Sequence, residues 1–185
     1  MMKRFSKLPL LFVLLLSACS YGVIDPPAGD TPLNRDSAAT FQTESLSYTL
    51  VPTAQGLEGE IAFIFTNPAP EPVYIVNCRG MTALRLEKQS GDTWITAWSP
   101  VILQCLSPPI VVQPGQQYSG VVHVSSGYPS TNLHPQFSVD PIPGVYRIVW
   151  DDVLRTYDDG TYPFGEPIPH GQRESNRFRL LVASR

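Results

Sequence analysis

Three cysteines, three histidines and two acidic clusters are the residues of this 185-residue chain whose types allow chemistry. The cysteines stand at Cys19, Cys78 and Cys105, and the histidines at His123, His134 and His170. A zinc site needs His or Cys paired at short spacing, and no such pair occurs. A Ser–His–Asp hydrolase needs a nucleophile on a sharp turn with a base in reach. Ser125-Ser126-Gly127 follows His123, but the chain contains no Gly-x-Ser-x-Gly. Asp151-Asp152 and Asp158-Asp159-Gly160 are the densest acidic group. Calcium wants several oxygens at close spacing, yet the EF-hand pattern and its closing Glu are missing. Carboxylate pairs also hydrolyse glycosides, but nothing in the sequence sets two of these on either side of a cleft. They read as solvated turns at strand ends. These residue types imply no catalytic group, no metal and no cofactor.

Aromatic side chains offer a different chemistry. Trp94, Trp98, Tyr118, Tyr128, Tyr157, Tyr162 and Phe164 lie outside the clearest core positions. Aromatics at loop tips stack on sugars or anchor a bound protein. The stretch from Tyr157 to Gly171, with Tyr162, Phe164 and several prolines, is therefore the candidate interaction loop. The plainer alternative is that these rings tuck onto the domain.

The elements that would hold these residues are strands. From residue 45 onward apolar residues recur at every second position, the signature of half-buried strands. Leu46, Tyr48 and Leu50 share one face; Ile61, Phe63 and Phe65 share another. Gln89-Ser90-Gly91 marks a hairpin between 83–88 and 92–98, and Gln113-Pro114-Gly115-Gln116 marks a turn. Pro and Gly, 19 and 13 in number, leave no room for long helices. Loops are expected over 125–143 and 155–174, and the longest strand over 144–154. Many short strands with such punctuation predict one all-β sandwich of about seven to nine strands.

The first 19 residues have another organisation. Lys3, Arg4 and Lys7 precede an apolar run from Leu8 to Leu16, which is too short to span a bilayer. The run closes on Leu16-Ser17-Ala18-Cys19, which resembles the bacterial lipoprotein signal, the lipobox. The resemblance implies cleavage before Cys19, a diacylglyceryl thioether on its sulfur and acylation of its new amino group. Several acyl chains hold a protein stably to a membrane, where one does so only marginally. In a Gram-negative cell, Ser20 after the lipidated Cys resembles the pattern of outer-membrane lipoproteins. Cleavage removes three of the 13 basic residues and none of the 16 acidic ones, leaving 10 and 16, a formal charge of −6. No basic cluster survives, so nucleic acid is excluded as a partner. With Cys19 taken by lipid, Cys78 and Cys105 remain as an even pair in an exported protein, which implies a disulfide. Residues 20–44, rich in Pro, Gly, Asp, Ser and Thr, read as a flexible tether, with Phe41 the residue most apt to dock. The expected organisation is a signal peptide over 1–18, lipidated Cys and tether over 19–44, and a domain over 45–185.

Pro143-Gly144-Val145-Tyr146-Arg147-Ile148 is the most specific local pattern. Gly144-x-Tyr146-x-Ile148 resembles the tyrosine corner of immunoglobulin-type sandwiches, with Ile148 where antibody domains have their second core cysteine. The order Phe63 to Asn67, Trp98, Val112-Gln113-Pro114-Gly115 and then this corner is loosely similar to bacterial domains of the intracellular proteinase inhibitor type. The resemblance covers roughly residues 45–183 and implies an immunoglobulin-like fold, with Gly144 and Tyr146 as its structural corner. Any Cys78–Cys105 bridge would then be peripheral. Fold alone does not fix activity. The expectation is a lipid-anchored, non-enzymatic envelope protein on the membrane, facing periplasm or surface and binding an envelope protein or glycan. Two alternatives are a protease inhibitor acting through 125–143 and an envelope hydrolase.

Overall fold

Ile61, Phe63 and Phe65 alternate with smaller or polar neighbours, and that period produces a strand with one dry face. In the computed structural model, which describes Leu33 and residues 40–101, 107–158 and 164–184, they lie in β3 (Leu57–Thr66) with their side chains buried. These residues belong to the second of two units into which the chain divides, Pro32–Arg185.

β3 centres the first layer. β1 (Phe41–Thr43) pairs antiparallel with its C-terminal part. β8 (Gln117–Ser126) pairs with all ten of its residues along the other edge. The second layer runs β11 (Phe178–Val182), β9 (Gly144–Trp150), β5 (Leu84–Ser90) and β6 (Thr93–Trp98), all antiparallel. β2 (Ser47–Pro52) belongs to both layers: Ser47 to Leu50 pair in parallel with β11, and Val51 and Pro52 pair with β3. The eight strands are thus one sheet folded over on itself. Its layers meet where Phe41, Phe63 and Phe65 surround Trp150, with ring centroids 5.7, 5.3 and 5.9 Å away. A second sheet contains β4 (Val73–Ile75), β7 (Ile110–Val112) and β10 (Val153–Leu154). The fold is an all-β sandwich of 11 described strands, with one turn of 3-10 helix at His170–Gln172.

Two strands exceed the seven to nine expected. β1 falls in the stretch assigned to the tether. Phe41 enters the core, and the Thr43 N–H donates to the Asn176 Oδ1 at 2.7 Å, so the folded body includes Phe41–Thr43. β10 arises because 144–154 is not one strand. The chain turns at Asp151 and Asp152, and the Val76 N–H on the Asp152 carbonyl (3.0 Å) seats β10 in the small sheet. The longest strands are β3 and β8. The 113–116 turn is present, but β7 and β8 on either side of it lie in different sheets.

The corner has the geometry its residues imply. Gly144 opens β9, and the Tyr146 hydroxyl donates to the Ile142 carbonyl at 2.5 Å, wholly buried. Burial pushes the Tyr146 hydroxyl well above its ordinary pKa, so it remains a protonated donor. Ile148 is buried two residues on, and β5, β9 and β11 pair in the order of the C, F and G strands of immunoglobulin-type folds. The chain enters where Phe41 pairs with Phe65, the end that carries the small sheet. It leaves at the other end, where Val182 lies beside Leu50.

Candidate functional site

Cys19, Cys105, Tyr162, Asp159 and Gly160 lie outside the described residues. Cys78 is buried and disulfide-bonded. In the candidate loop, Tyr157 is half-buried and stacks on Tyr74, centroids 6.0 Å apart at 27°. Phe164 is half-buried too, and its carbonyl accepts the Asp158 N–H at 2.7 Å. The Arg155 N–H bonds the Glu166 carbonyl at 2.7 Å and the Ile168 N–H bonds the Val153 carbonyl at 3.0 Å. The described part of this loop is fastened to the domain.

The histidines are dispersed. His123 Nδ1 lies 3.2 Å from Glu60 Oε1, and His170 Nδ1 lies 2.7 Å from Glu174 Oε1. Among the described residues no three His, Cys, Asp or Glu side chains gather to hold a metal. His134 shares a cleft of about 130 Å³ with Glu58, Ser125 and Ser126. The Ser126 hydroxyl donates to the Gly127 and Pro135 carbonyls at 3.1 and 3.4 Å, so its proton is directed to backbone and not to an imidazole. That arrangement does not assemble an activated nucleophile.

The segment 125–143 begins inside β8 and then crosses the end of the sandwich. The Gly127 N–H bonds the Pro135 carbonyl, the Phe137 N–H bonds the Gly127 carbonyl, and the Ser138 N–H bonds the Ala97 carbonyl. Phe137, Val139 and Ile142 are buried. A protease cleft takes an extended, projecting segment, whereas here the exposed residues of the segment alternate with buried or backbone-bonded ones.

On the outer face of the second layer, charged side chains interlock in a way that spacing alone does not reveal. Glu87 accepts from Arg147 (2.7 and 2.9 Å) and from Arg85 (2.9 and 3.2 Å). Arg147 also reaches Glu174 at 2.7 Å, and Arg85 and Arg173 both reach Asp151. The Arg147 guanidinium lies 4.5 Å from the centre of the Trp94 ring, with Arg177 5.6 Å away. Burial raises the Glu87 pKa, but hydrogen bonds and charge from Arg147 and Arg85 outweigh it and hold the carboxyl below its ordinary value. Burial raises Asp152, partly opposed by Arg173. Every charge named here except that of Asp152 has a close partner or an aromatic face, so the network braces β5, β9 and the approach to β11.

The feature left open is the outer edge of β8. The Glu44 N–H bonds the Ala62 carbonyl (2.9 Å), and the Thr66 N–H bonds the Thr40 carbonyl (2.7 Å), so Ala62, Ile64 and Thr66 point their backbone groups toward β1. Alternation then directs Ile61, Phe63 and Phe65 toward their β8 partners Val122, Gly120 and Tyr118. Gln117, Ser119, Val121, His123 and Ser125 therefore turn both N–H and C=O away from β3. Among the described residues no backbone bond reaches these groups. Natural edges are usually blunted by charge, Pro or a bulge. β8 contains no Asp, Glu, Lys, Arg or Pro, and its register with β3 runs unbroken over all ten residues. Gly120 belongs to this geometry, because a Cβ there would lie 2.5 Å from the Phe63 ring. By comparison the β6 edge is shorter, and Ser138 covers its end through bonds to the Thr96 and Ala97 carbonyls. An unbroken strand edge without Asp, Glu, Lys, Arg or Pro can accept an extended polypeptide strand by backbone pairing. Comparison with known proteins found no protein-family model and no curated protein that matches the chain.

Proposed function

We propose that this protein is a lipid-anchored, non-enzymatic module of the cell envelope that binds a polypeptide strand along β8. The free, uncharged edge of β8 is the observation that carries the binding half of this reading. The lipobox-like Leu16-Ser17-Ala18-Cys19 supports the anchor. Acyl chains confine the domain to a membrane surface, which raises its effective concentration toward partners held on the same surface. The chemistry of recognition is the ladder bond itself, with specificity from the side chains at alternate positions.

Two measurements on the full chain in its native membranes test the reading. Cys19→Ser should move the protein from the membrane to the soluble fraction; retention in membranes removes the anchor. Amide hydrogen exchange should show Gln117, Ser119, Val121, His123 and Ser125 protected in membranes although no described residue of the domain bonds them. Free exchange at these five amides removes the strand-edge function.

A further inference from the structure

Resting on the strand-edge reading above, we infer that the strand laid along β8 is β8 of a second copy of this chain. The two run antiparallel about a twofold axis through Val121. The outward residues Gln117, Ser119, Val121, His123 and Ser125 are spaced evenly about Val121. An antiparallel pairing centred there sets Val121 against Val121, Ser119 against His123, and Gln117 against Ser125. Each outward residue meets an outward residue, and the five pairs use all ten open groups of each copy. The result is about ten intermolecular hydrogen bonds, the number a stable interface carries.

Charge permits this pairing where it would forbid many others. Like charges directly opposite one another destabilise a sheet. β8 has no acidic or basic residue besides His123. His123 faces Ser119 across the axis and is already paired within its own copy with Glu60. Shifting the register by two residues centres it on Gly120 or Val122 and leaves one of the five outward residues, Ser125 or Gln117, without an outward β8 partner. Shifting it by four centres it on Ser119 or His123 and leaves two of the five without one, and the second also opposes His123 to itself. Val121, 41% exposed in the single chain, lies directly opposite its own copy only in the register proposed. The same surface serves both copies, as a closed twofold contact requires.

The anchor is compatible with this arrangement. A twofold axis perpendicular to the sheet sends the two chain starts in opposite directions along the strand, which is about 33 Å long. About 20 residues separate Cys19 from Thr40, a reach of at most roughly 70 Å. Both copies can therefore hold one bilayer while their shared sheet lies along it.

Substitutions at Val121 in the full chain test the pairing. Directly opposed, hydrogen-bonded residues have Cα atoms about 5.5 Å apart, inside the range a disulfide spans. Val121→Cys should give a covalent dimer on non-reducing gels, whereas Ile95→Cys, equally exposed on β6, should not. Val121→Lys and Val121→Glu should each lower self-association at least tenfold while leaving the thermal unfolding of the monomer unchanged. Mixing the two variants should restore a dimer containing one of each. A wild-type chain that stays monomeric in detergent at high micromolar concentration overturns the inference. So does a mixture that fails to pair. Amide protection of β8 in membranes without a Val121→Cys dimer would leave the strand-edge function standing and eliminate the second copy as its occupant.

Discussion

Trp150→Ala is expected to cost about 4 kcal/mol of folding stability, the upper part of the range for truncating a buried aromatic. Trp150 closes β9 and is fully buried. Its ring meets Phe41 from β1, Phe63 and Phe65 from β3, and Tyr118 from β8, at 5.3 to 5.9 Å between centroids. One side chain from the second layer thus touches β1, β3 and β8 of the first. Truncation leaves a void bordered by four rings that are each fixed by other contacts, so collapse around it is limited. A single domain has about 5–15 kcal/mol in total. The variant should therefore unfold at a much lower urea concentration, with an unchanged slope. Trp150→Phe, which retains a ring at the site, should lose less than half as much. A loss under 1 kcal/mol for the alanine variant would show that the layers are not joined there.

Glu87→Ala is expected to cost about 3 kcal/mol, the scale for removing one partner from a largely buried ion pair. The loss is greater than one contact, because Arg85 and Arg147 would then face each other across the vacated space with one carboxylate apiece remaining, Asp151 and Glu174. The pH dependence follows from the direction of the Glu87 shift. Its folded pKa lies below the ordinary value of 4.5, so the stabilisation is complete above that value and is lost as pH falls through the folded pKa. The wild-type protein should weaken in acid, below about pH 4.5, and the Glu87→Ala variant should weaken less steeply over that window. Asp152 acts with the opposite sign. Its raised pKa means its contribution is greatest below the unfolded value and declines as pH rises through the folded one. Urea titrations of both proteins between pH 3 and 7 measure the difference. Parallel curves would mean that Glu87 does not supply the acid limb.

Alternation is enough to reveal β3 and the face it presents, because a buried sheet face imposes period two on its residues, and Gln89-Ser90-Gly91 marks the hairpin of β5 and β6. The corner was legible too, since Gly144, Tyr146 and Ile148 all act within a few residues of one another. β1 was not legible as a strand. Three residues carry little pattern, and what fixes them is Asn176, 133 positions away. The charge network was hidden for the same reason: Glu87 and Arg147 are 60 residues apart and meet only because β5 lies beside β9. β8 is not legible as an edge. Period two reports which side chains face the core and is silent on what lies alongside. A ten-residue run without charge or proline has the composition of an interior strand, and only the pairing shows its outer side open. Aromatic side chains mark the candidate loop, whereas the open surface is made of backbone.

The parallel pairing of β2 with β11 has a mechanical consequence. The Arg179 N–H bonds the Leu46 carbonyl at 2.8 Å and the Ala183 N–H bonds the Leu50 carbonyl at 2.9 Å, with four paired residues between. A pull that drags the start of the chain one way and its finish the other slides these neighbours lengthwise, so the crosslinks between them must shear together and not peel one by one. Fastened to a surface at one terminus and tugged at the other, such a body resists as a rivet does.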